Sequence, residues 1–327
     1  MDDGYTVLQE APRSQARSAG RRGRRRAGRG RTLAPRYWRR RLVALAIFVG
    51  LVFVAGRTVL AGPAHTSARA PVGPGSHYLA RIATLAGSGK GSLAAMEISA
   101  QNQAIDATMQ RTPFVRVAGS QHREIALTFD DGPGPYTPQI LAVLRREHVP
   151  ATFFQIGILQ RYFHVSTTAI VAAGDVIGDH TEAHAPMSRL SAALQRQQLL
   201  QDAAVITQFG ASFPRLFRPP YGLFNQTTLA LLRRYHMLMV LWTVDTSDYR
   251  RPGVRAIVRT ALSGARPGAI ILMHDAGGNR SETVAALPQI IAGLRARGYQ
   301  LVTVPRLLLD NPAPAHQNLG ALAPGGG

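Results

Sequence analysis

Glu124-Ile125-Ala126-Leu127-Thr128-Phe129-Asp130-Asp131-Gly132-Pro133 is the stretch on which the reading of this chain turns. An apolar run closes on two carboxylates, and Gly-Pro then interrupts the extended backbone. A strand is expected up to Phe129, and Thr137 ahead of Pro138 opens a helix that ends near Glu147. The same succession recurs downstream. Further strands are expected at Ala151–Ile156, Asp175–Gly178, Leu216–Arg218, Met237–Val244, Ala269–Met273 and Gln300–Val304. Helices are expected between them, over 167–173, 191–209, 226–235, 254–263 and 281–297, with Gly174, Gly264 and Gly298 as stops. Seven strands in about 185 residues fall short of a complete eight-fold barrel of roughly 250. The expected fold class is therefore α/β, an irregular (β/α) barrel of about seven strands.

Upstream the composition changes. The chain of 327 residues carries Lys+Arg 38 against Asp+Glu 18, a net charge of +20. Half of that excess is local: residues 1–41 hold 13 arginines against Asp2, Asp3 and Glu10. Such a run reads as a nucleic-acid arm until its position is considered. Directly behind Arg41 comes an uncharged stretch, Leu42 to Gly56, extended past Arg57 to Gly62. Counted to Gly62 it has 21 residues, enough for the roughly 20 that span a bilayer. A basic flank on one side predicts that this side stays cytoplasmic and that the rest is exported. Residues 42–62 are thus expected as a signal-anchor transmembrane helix behind a basic cytoplasmic tail. The alternative is a secreted protein cleaved after Val59-Leu60-Ala61. Residues 63–120 read as a linker, Pro- and Gly-rich at first and weakly helical from Ser76 to Gln110. Residues 311–327, from Asn-Pro-Ala-Pro to Gly-Gly-Gly, read as a disordered tail. The absence of cysteine excludes a disulfide scaffold, a thiolate metal site, a cysteine nucleophile and a lipid-modified start.

Five expected strand ends place polar groups on one rim. Asp130 and Asp131 follow the first strand, His180 and His184 the third, and Arg218 the fourth. Asp245 and Asp248 follow Val244, and His274-Asp275 follows Met273. In a βα barrel this is the working face. His180 and His184 are four apart, a spacing that lets two imidazoles reach one ion, and a carboxylate completes a set with an open position. Asp130 and Asp131 alternate in direction on an extended chain, so one can hold a metal while the other reaches a water. Taken singly, each pattern is more often an ordinary turn or a solvated pair.

The residues in these positions resemble a known family. Thr128-Phe129-Asp130-Asp131-Gly132-Pro133, His180-Thr181-Glu182-Ala183-His184, Arg218-Pro219-Pro220-Tyr221-Gly222, Trp242-Thr243-Val244-Asp245-Thr246-Ser247-Asp248-Tyr249 and Leu272-Met273-His274-Asp275 are similar, in order, to the five motifs of the polysaccharide deacetylases. This is the NodB-homology domain of carbohydrate esterase family 4, and the resemblance covers about 121–310. It implies that Asp131, His180 and His184 ligate a divalent metal, zinc first, with Co, Mn or Ni also acceptable to such a set. Asp130 is implied as general base, with Arg218 holding it. His274 is implied as the acid that protonates the leaving amine, with Asp248 as its partner, although the sequence leaves Asp245 open for that role. Tyr221, through its backbone N–H, Tyr249 and Leu272 are implied in substrate binding. Two positions depart from the pattern: Tyr249 stands where Trp is usual, and Asp179 where Asn is common.

Together these readings predict a metal-dependent hydrolase that removes N-acetyl groups from an extracytoplasmic amino-sugar polymer. A catalytic domain tethered outside a bacterial cell membrane meets peptidoglycan first, which puts peptidoglycan N-acetylglucosamine ahead of the alternatives. Those are a chitooligosaccharide or exopolysaccharide deacetylase, an O-acetyl esterase, and a glycan-binding pseudoenzyme. No nucleic acid is expected as a partner of the catalytic domain.

Overall fold

In the computed structural model, which describes residues 74–319, the strand expected from Glu124 runs on to Gly132. The elements begin with α1 (Pro74–Arg111), β1 (Phe114–Val115), β2 (Glu124–Gly132), α2 (Thr137–Arg146), β3 (Thr152–Gln155), α3 (Gly157–Tyr162), α4 (His164–Ala173) and β4 (Val176–Asp179). They continue with α5 (Ala192–Gln208), β5 (Leu216–Phe217), α6 (Gln226–Arg234), β6 (Leu238–Val240) and β7 (Val244–Asp245). The last are α7 (Val254–Ser263), β8 (Ala269–His274), α8 (Ser281–Ala296), β9 (Gln300–Val302) and α9 (Val304–Asp310). Strand pairing is parallel throughout, in the order β1-β6-β5-β4-β3-β2-β8-β7, with β9 on the lower part of β2. This is an irregular (β/α) barrel left open between β7 and β1.

The alternation of β2 explains both the core and the site. Ile125, Leu127 and Phe129 face the cluster that packs the sheet against α2, α7 and α8. Ala126 faces the opposite cluster with Phe154, Leu216, Val240, Ile270 and Leu307. A period of two then places Thr128 and Asp130 on that same interior face. A carboxylate inside a barrel needs a cation, and Arg218 supplies one.

The structure differs from the sequence expectations at several points. Nine strands are described rather than seven. Phe114–Val115 pairs with β6 although it lies in the stretch read as linker, being too short to show a period of its own. The run Met237–Val244 is not one strand but two. Between them the backbone changes partner, the Leu241 N–H donating to the Val115 carbonyl at 2.8 Å and the Thr243 N–H to the Ile270 carbonyl at 2.9 Å. The weakly helical stretch is a single helix whose last turns join the domain: Ile105 is buried, Asp106 pairs with Arg215, and Glu97 pairs with Arg306.

Residues 311–319 do not form a free tail. Asn311 is buried and donates to Glu124 at 2.9 Å, while the Gln317 side chain accepts from the backbone N–H of Arg116 at 2.9 Å. The segments expected as basic tail and transmembrane helix, 1–41 and 42–62, lie outside the described residues, as do 63–73 and 320–327. No helix among the described residues is long and apolar enough to cross a membrane.

Candidate active site

The carboxyl ends of β2, β4, β7 and β8 converge on one cleft, lined by Asp130, Asp131, His180, His184, Tyr221, Trp242, Tyr249, Leu272, His274 and Arg280 among others. The two neighbouring aspartates both reach it, contrary to simple alternation. The register of β2 against β3 shifts between Phe129 and Gly132, and Asp131 adopts φ 69°. This bulge turns the second carboxylate back to the side of the first. Thr181 (φ 69°), His184 (φ 53°), Tyr221 (φ 61°) and Ser247 (φ 52°) are also left-handed. Each such non-glycine conformation costs on the order of 1–3 kcal/mol, and here they gather at the site.

Asp131 forms the centre of the polar set. Its Oδ1 lies 3.1 Å from His184 Nε2 and 3.6 Å from His180 Nε2. His180 and His184 reach it from a loop rather than a helix, the four-residue spacing being realised as a turn after β4. The ligand-type atoms of Asp131, His180 and His184 all lie within 4.8 Å of one another. The Arg218 carbonyl, which can only accept, sits 2.6 Å from His180 Nδ1, so Nδ1 carries the proton and Nε2 keeps its lone pair. Tyr221 Oη lies 3.1 Å from Nδ1 of His184, whose Nε2 faces Asp131.

Burial pushes the Asp131 carboxyl up, but hydrogen bonds with His180 and His184 and the charge of His274 hold it well below the ordinary carboxylate value. Burial depresses His180, yet the charges of Asp130 and Asp131 raise it above the ordinary imidazole value. Both shifts mean that the field at this point favours positive charge. Two nitrogens and one oxygen, with the His180 tautomer fixed from behind, fit a divalent ion with an open position.

Asp130 is arranged differently. Its Oδ1 accepts from Arg218 Nη1 at 2.7 Å, while Oδ2 lies 3.9 Å from His180 Nε2. Arg218 is fully buried, with its guanidinium 4.1 Å from the Phe154 ring centre. It also donates to Thr128 Oγ1 at 2.8 Å and to the carbonyls of Val240 and Leu241 at 3.0 and 3.2 Å. A guanidinium so held fixes one oxygen of Asp130 and leaves the other to the cleft.

On the far side of β2, His274 Nδ1 lies 2.7 Å from Asp248 Oδ1, and its backbone N–H donates to Asp248 Oδ2 at 2.9 Å. Asp245 instead accepts the N–H of Ser247 at 2.7 Å. Asp248 is therefore the partner of His274, and Asp245 forms the turn. Nδ1 being engaged, Nε2 is the nitrogen that His274 offers to the cleft. The Tyr249 ring stands edge-on to that imidazole, 5.3 Å between centres.

The profile of the polysaccharide deacetylase family matches residues 118–240. Over 198 residues the chain is 37% identical to the chitooligosaccharide deacetylase of Bradyrhizobium sp. (strain ANU 289), covering 57% of this chain and 90% of that one. The chain belongs to the polysaccharide deacetylase family. A peptidoglycan-N-acetylglucosamine deacetylase of Bacillus cereus is 38% identical over 187 residues, 56% of this chain and 87% of the relative. Among solved structures, a peptidoglycan N-acetylglucosamine deacetylase in complex with an N-hydroxybenzamide superposes with a TM-score of 0.60 at 29% identity, covering 64% of this chain and 97% of that one.

All ten residues singled out in the sequence of this deacetylase are brought to the cleft or hold a group that lines it. Four others were given no role by the sequence. Thr128 receives Arg218, and Thr283 donates to Asp248 at 2.7 Å. Arg280 lines the cleft while donating to the carbonyls of Ala276 and Gly277 at 2.7 and 2.8 Å. Asp275 lies buried below the site, its Oδ2 accepting from Thr137 Oγ1 at 2.5 Å, and burial pushes its carboxyl up to about 7. A β-carbon at Gly132 would strike the Asp275 carboxylate, which accounts for glycine after the aspartate pair. Of these, Thr128 and Asp275 stood within the quoted motifs. Thr283 and Arg280 had no spacing signal.

Burial alone would lower His274, but Asp248 above all, then Asp131 and Asp130, raise it to about 9. A folded value above the ordinary 6.5 or so makes the charged form stabilising at acid and neutral pH, and that contribution is lost as pH rises through the folded value. A cation held at Asp131 opposes part of the shift, so the alkaline fall in kcat/KM is expected at or below pH 9. Asp248→Asn should move that fall to lower pH, because burial then acts with less opposition. Rate profiles of both proteins from neutral to alkaline pH test this, and an unmoved limb would assign it to another group.

Proposed function

We propose that this polysaccharide N-deacetylase hydrolyses the N-acetyl groups of N-acetylglucosamine in peptidoglycan, with zinc as its metal. The observation that carries the reading is the cleft itself. A base-like carboxylate, a three-residue ion site and a buried His–Asp pair surround a space of about 140 Å³. That is small beside the roughly 300–1,000 Å³ that encloses a whole drug-sized ligand. It suits an acyl group presented by a chain that lies along the open rim.

The reaction adds water across the amide: the C–N bond breaks, acetate leaves, and the sugar keeps a free amine. Asp131, His180 and His184 would hold a divalent ion, which would supply Lewis acidity to this site. Asp130 Oδ2 takes a proton from the attacking water while Arg218 holds and orients the carboxylate. His274 Nε2 gives a proton to the departing nitrogen, and Asp248 stabilises the imidazolium before transfer. The backbone N–H of Tyr221 is assigned to the developing oxyanion. Leu272 is assigned to the acetyl methyl, and Tyr249 to the wall against the sugar.

The choice of polymer rests on location. The arginine-rich residues 1–41 and the apolar run 42–62 support a single-pass anchor with the catalytic domain outside a bacterial membrane, next to peptidoglycan. Secretion after cleavage would leave the same domain outside. A chitooligosaccharide substrate is the second reading, favoured by the Bradyrhizobium relative's own activity.

Acetate release by the zinc-loaded full-length chain, from purified peptidoglycan and from chitooligosaccharides in parallel, tests the proposal. Release from peptidoglycan at the higher kcat/KM is expected, lost on chelation and restored by zinc. Release from chitooligosaccharide alone would overturn the substrate, and release that survives chelation would overturn the metal.

A further inference from the structure

The first turn of α8 passes directly behind the proton donor. Thr283 lies there, fully buried, and its hydroxyl donates to Asp248 Oδ2 at 2.7 Å. Asp248 spends its remaining contacts on the donor side, Oδ1 against His274 Nδ1 and Oδ2 under the His274 backbone N–H. Thr246 also approaches Asp248 Oδ1, at 3.3 Å, but its hydroxyl is closer to the Leu272 carbonyl at 2.8 Å. Thr246 has one proton, and the shorter contact takes it. Thr283 is thus the side-chain hydroxyl committed to this carboxylate from the helix side.

A carboxylate held only by its imidazole can rotate and tilt with it. One fixed from behind by a short bond presents the ring at a single angle. We infer that Thr283 is a positioning residue for the proton donor, acting through Asp248 to aim His274 Nε2 at the leaving group. The inference rests on the deacetylase reading for its substrate. Its chemistry is narrower: Thr283 matters in proportion to how much the leaving group needs a proton.

That dependence supplies the test. An amide nitrogen cannot leave as an anion and an alkoxide leaves poorly, whereas an activated phenolate departs unprotonated. Thr283→Val keeps shape and burial but removes the hydroxyl, and Thr283→Ser keeps the hydroxyl. In the full-length, zinc-loaded protein, Thr283→Val should lower kcat for acetate release from an N-acetylglucosamine oligomer about tenfold, with KM within about twofold. Thr283→Ser should recover most of the loss. On an aryl acetate with a good leaving group, Thr283→Val should lose less than about twofold. Equal losses on amide and aryl ester would show a merely structural role and overturn the inference, as would an unaffected amide rate.

Should the wild-type protein release no acetate from any glycan, the substrate reading fails. Thr283 is then judged on an alkyl against an aryl acetate, where the same divergence is expected. Independently of turnover, the downfield Nδ1–H proton resonance of His274 should move or broaden in Thr283→Val. An unchanged resonance would overturn the inference.

Discussion

Asp130→Asn is expected to lower acetate release by about 10²–10⁴-fold, the span over which a positioned base or acid acts. Asparagine preserves the volume and an oxygen that accepts from Arg218, so what is lost is the proton acceptor at Oδ2. Asp131, His180 and His184 remain, and zinc stoichiometry should be unchanged. Because the substitution removes the counter-charge of a fully buried guanidinium, Tm is expected to fall as well. Activity is therefore to be compared below that transition. A variant within tenfold of the parent, folded and zinc-loaded, would show that another group takes the proton.

The largest loss of stability is expected at Arg218. Arg218→Met would leave the Asp130 carboxylate buried without its partner and remove donors from Thr128, Val240 and Leu241 together. Breaking a buried pair from one side costs about 3–5 kcal/mol. Against a usual total stability of about 5–15 kcal/mol that is a large share. The midpoint of denaturant unfolding, compared at equal slope, reads it directly. Arg218→Lys should recover little, since a single ammonium cannot reach four acceptors spread over β2 and the end of β6. A midpoint unchanged in Arg218→Met would mean that the pair orients Asp130 without holding the barrel together.

The residues of the candidate site were legible because they sit where strands end, and strand ends are what an apolar run followed by a polar residue displays. Asp130, Asp131, His180, His184, Arg218 and His274 all share that position. The choice between Asp245 and Asp248 was not legible. It depends on the left-handed Ser247, which turns Asp245 onto its own backbone and sends Asp248 to His274. The co-directed aspartates were hidden for a similar reason, since a bulge leaves the residue order unchanged while reversing which face a side chain takes.

Thr283 stands between Ser281-Glu282 and Val284-Ala285 in the first turn of α8 and reads as an incidental helix residue. Its meaning comes from a contact 35 positions away in sequence. The stretch after Asp310 misled through its composition: proline and alanine suggest a free end, but Asn311 and Gln317 tie it to β2 and to the segment after β1.

The order of strands around the sheet keeps the two halves of this chemistry apart. Asp131, His180 and His184 arrive from β2 and β4, whereas Asp248 and His274 arrive from β7 and β8, with Asp130 at the seam. Inheritance can therefore act on them separately. A single substitution at His274 or Asp248 would leave the Asp131, His180 and His184 set in place. A change on the β4 side would leave a proton donor with nothing to serve. Loss of the first kind would separate ion holding from turnover in one substitution, because the residues for each arrive on different strands.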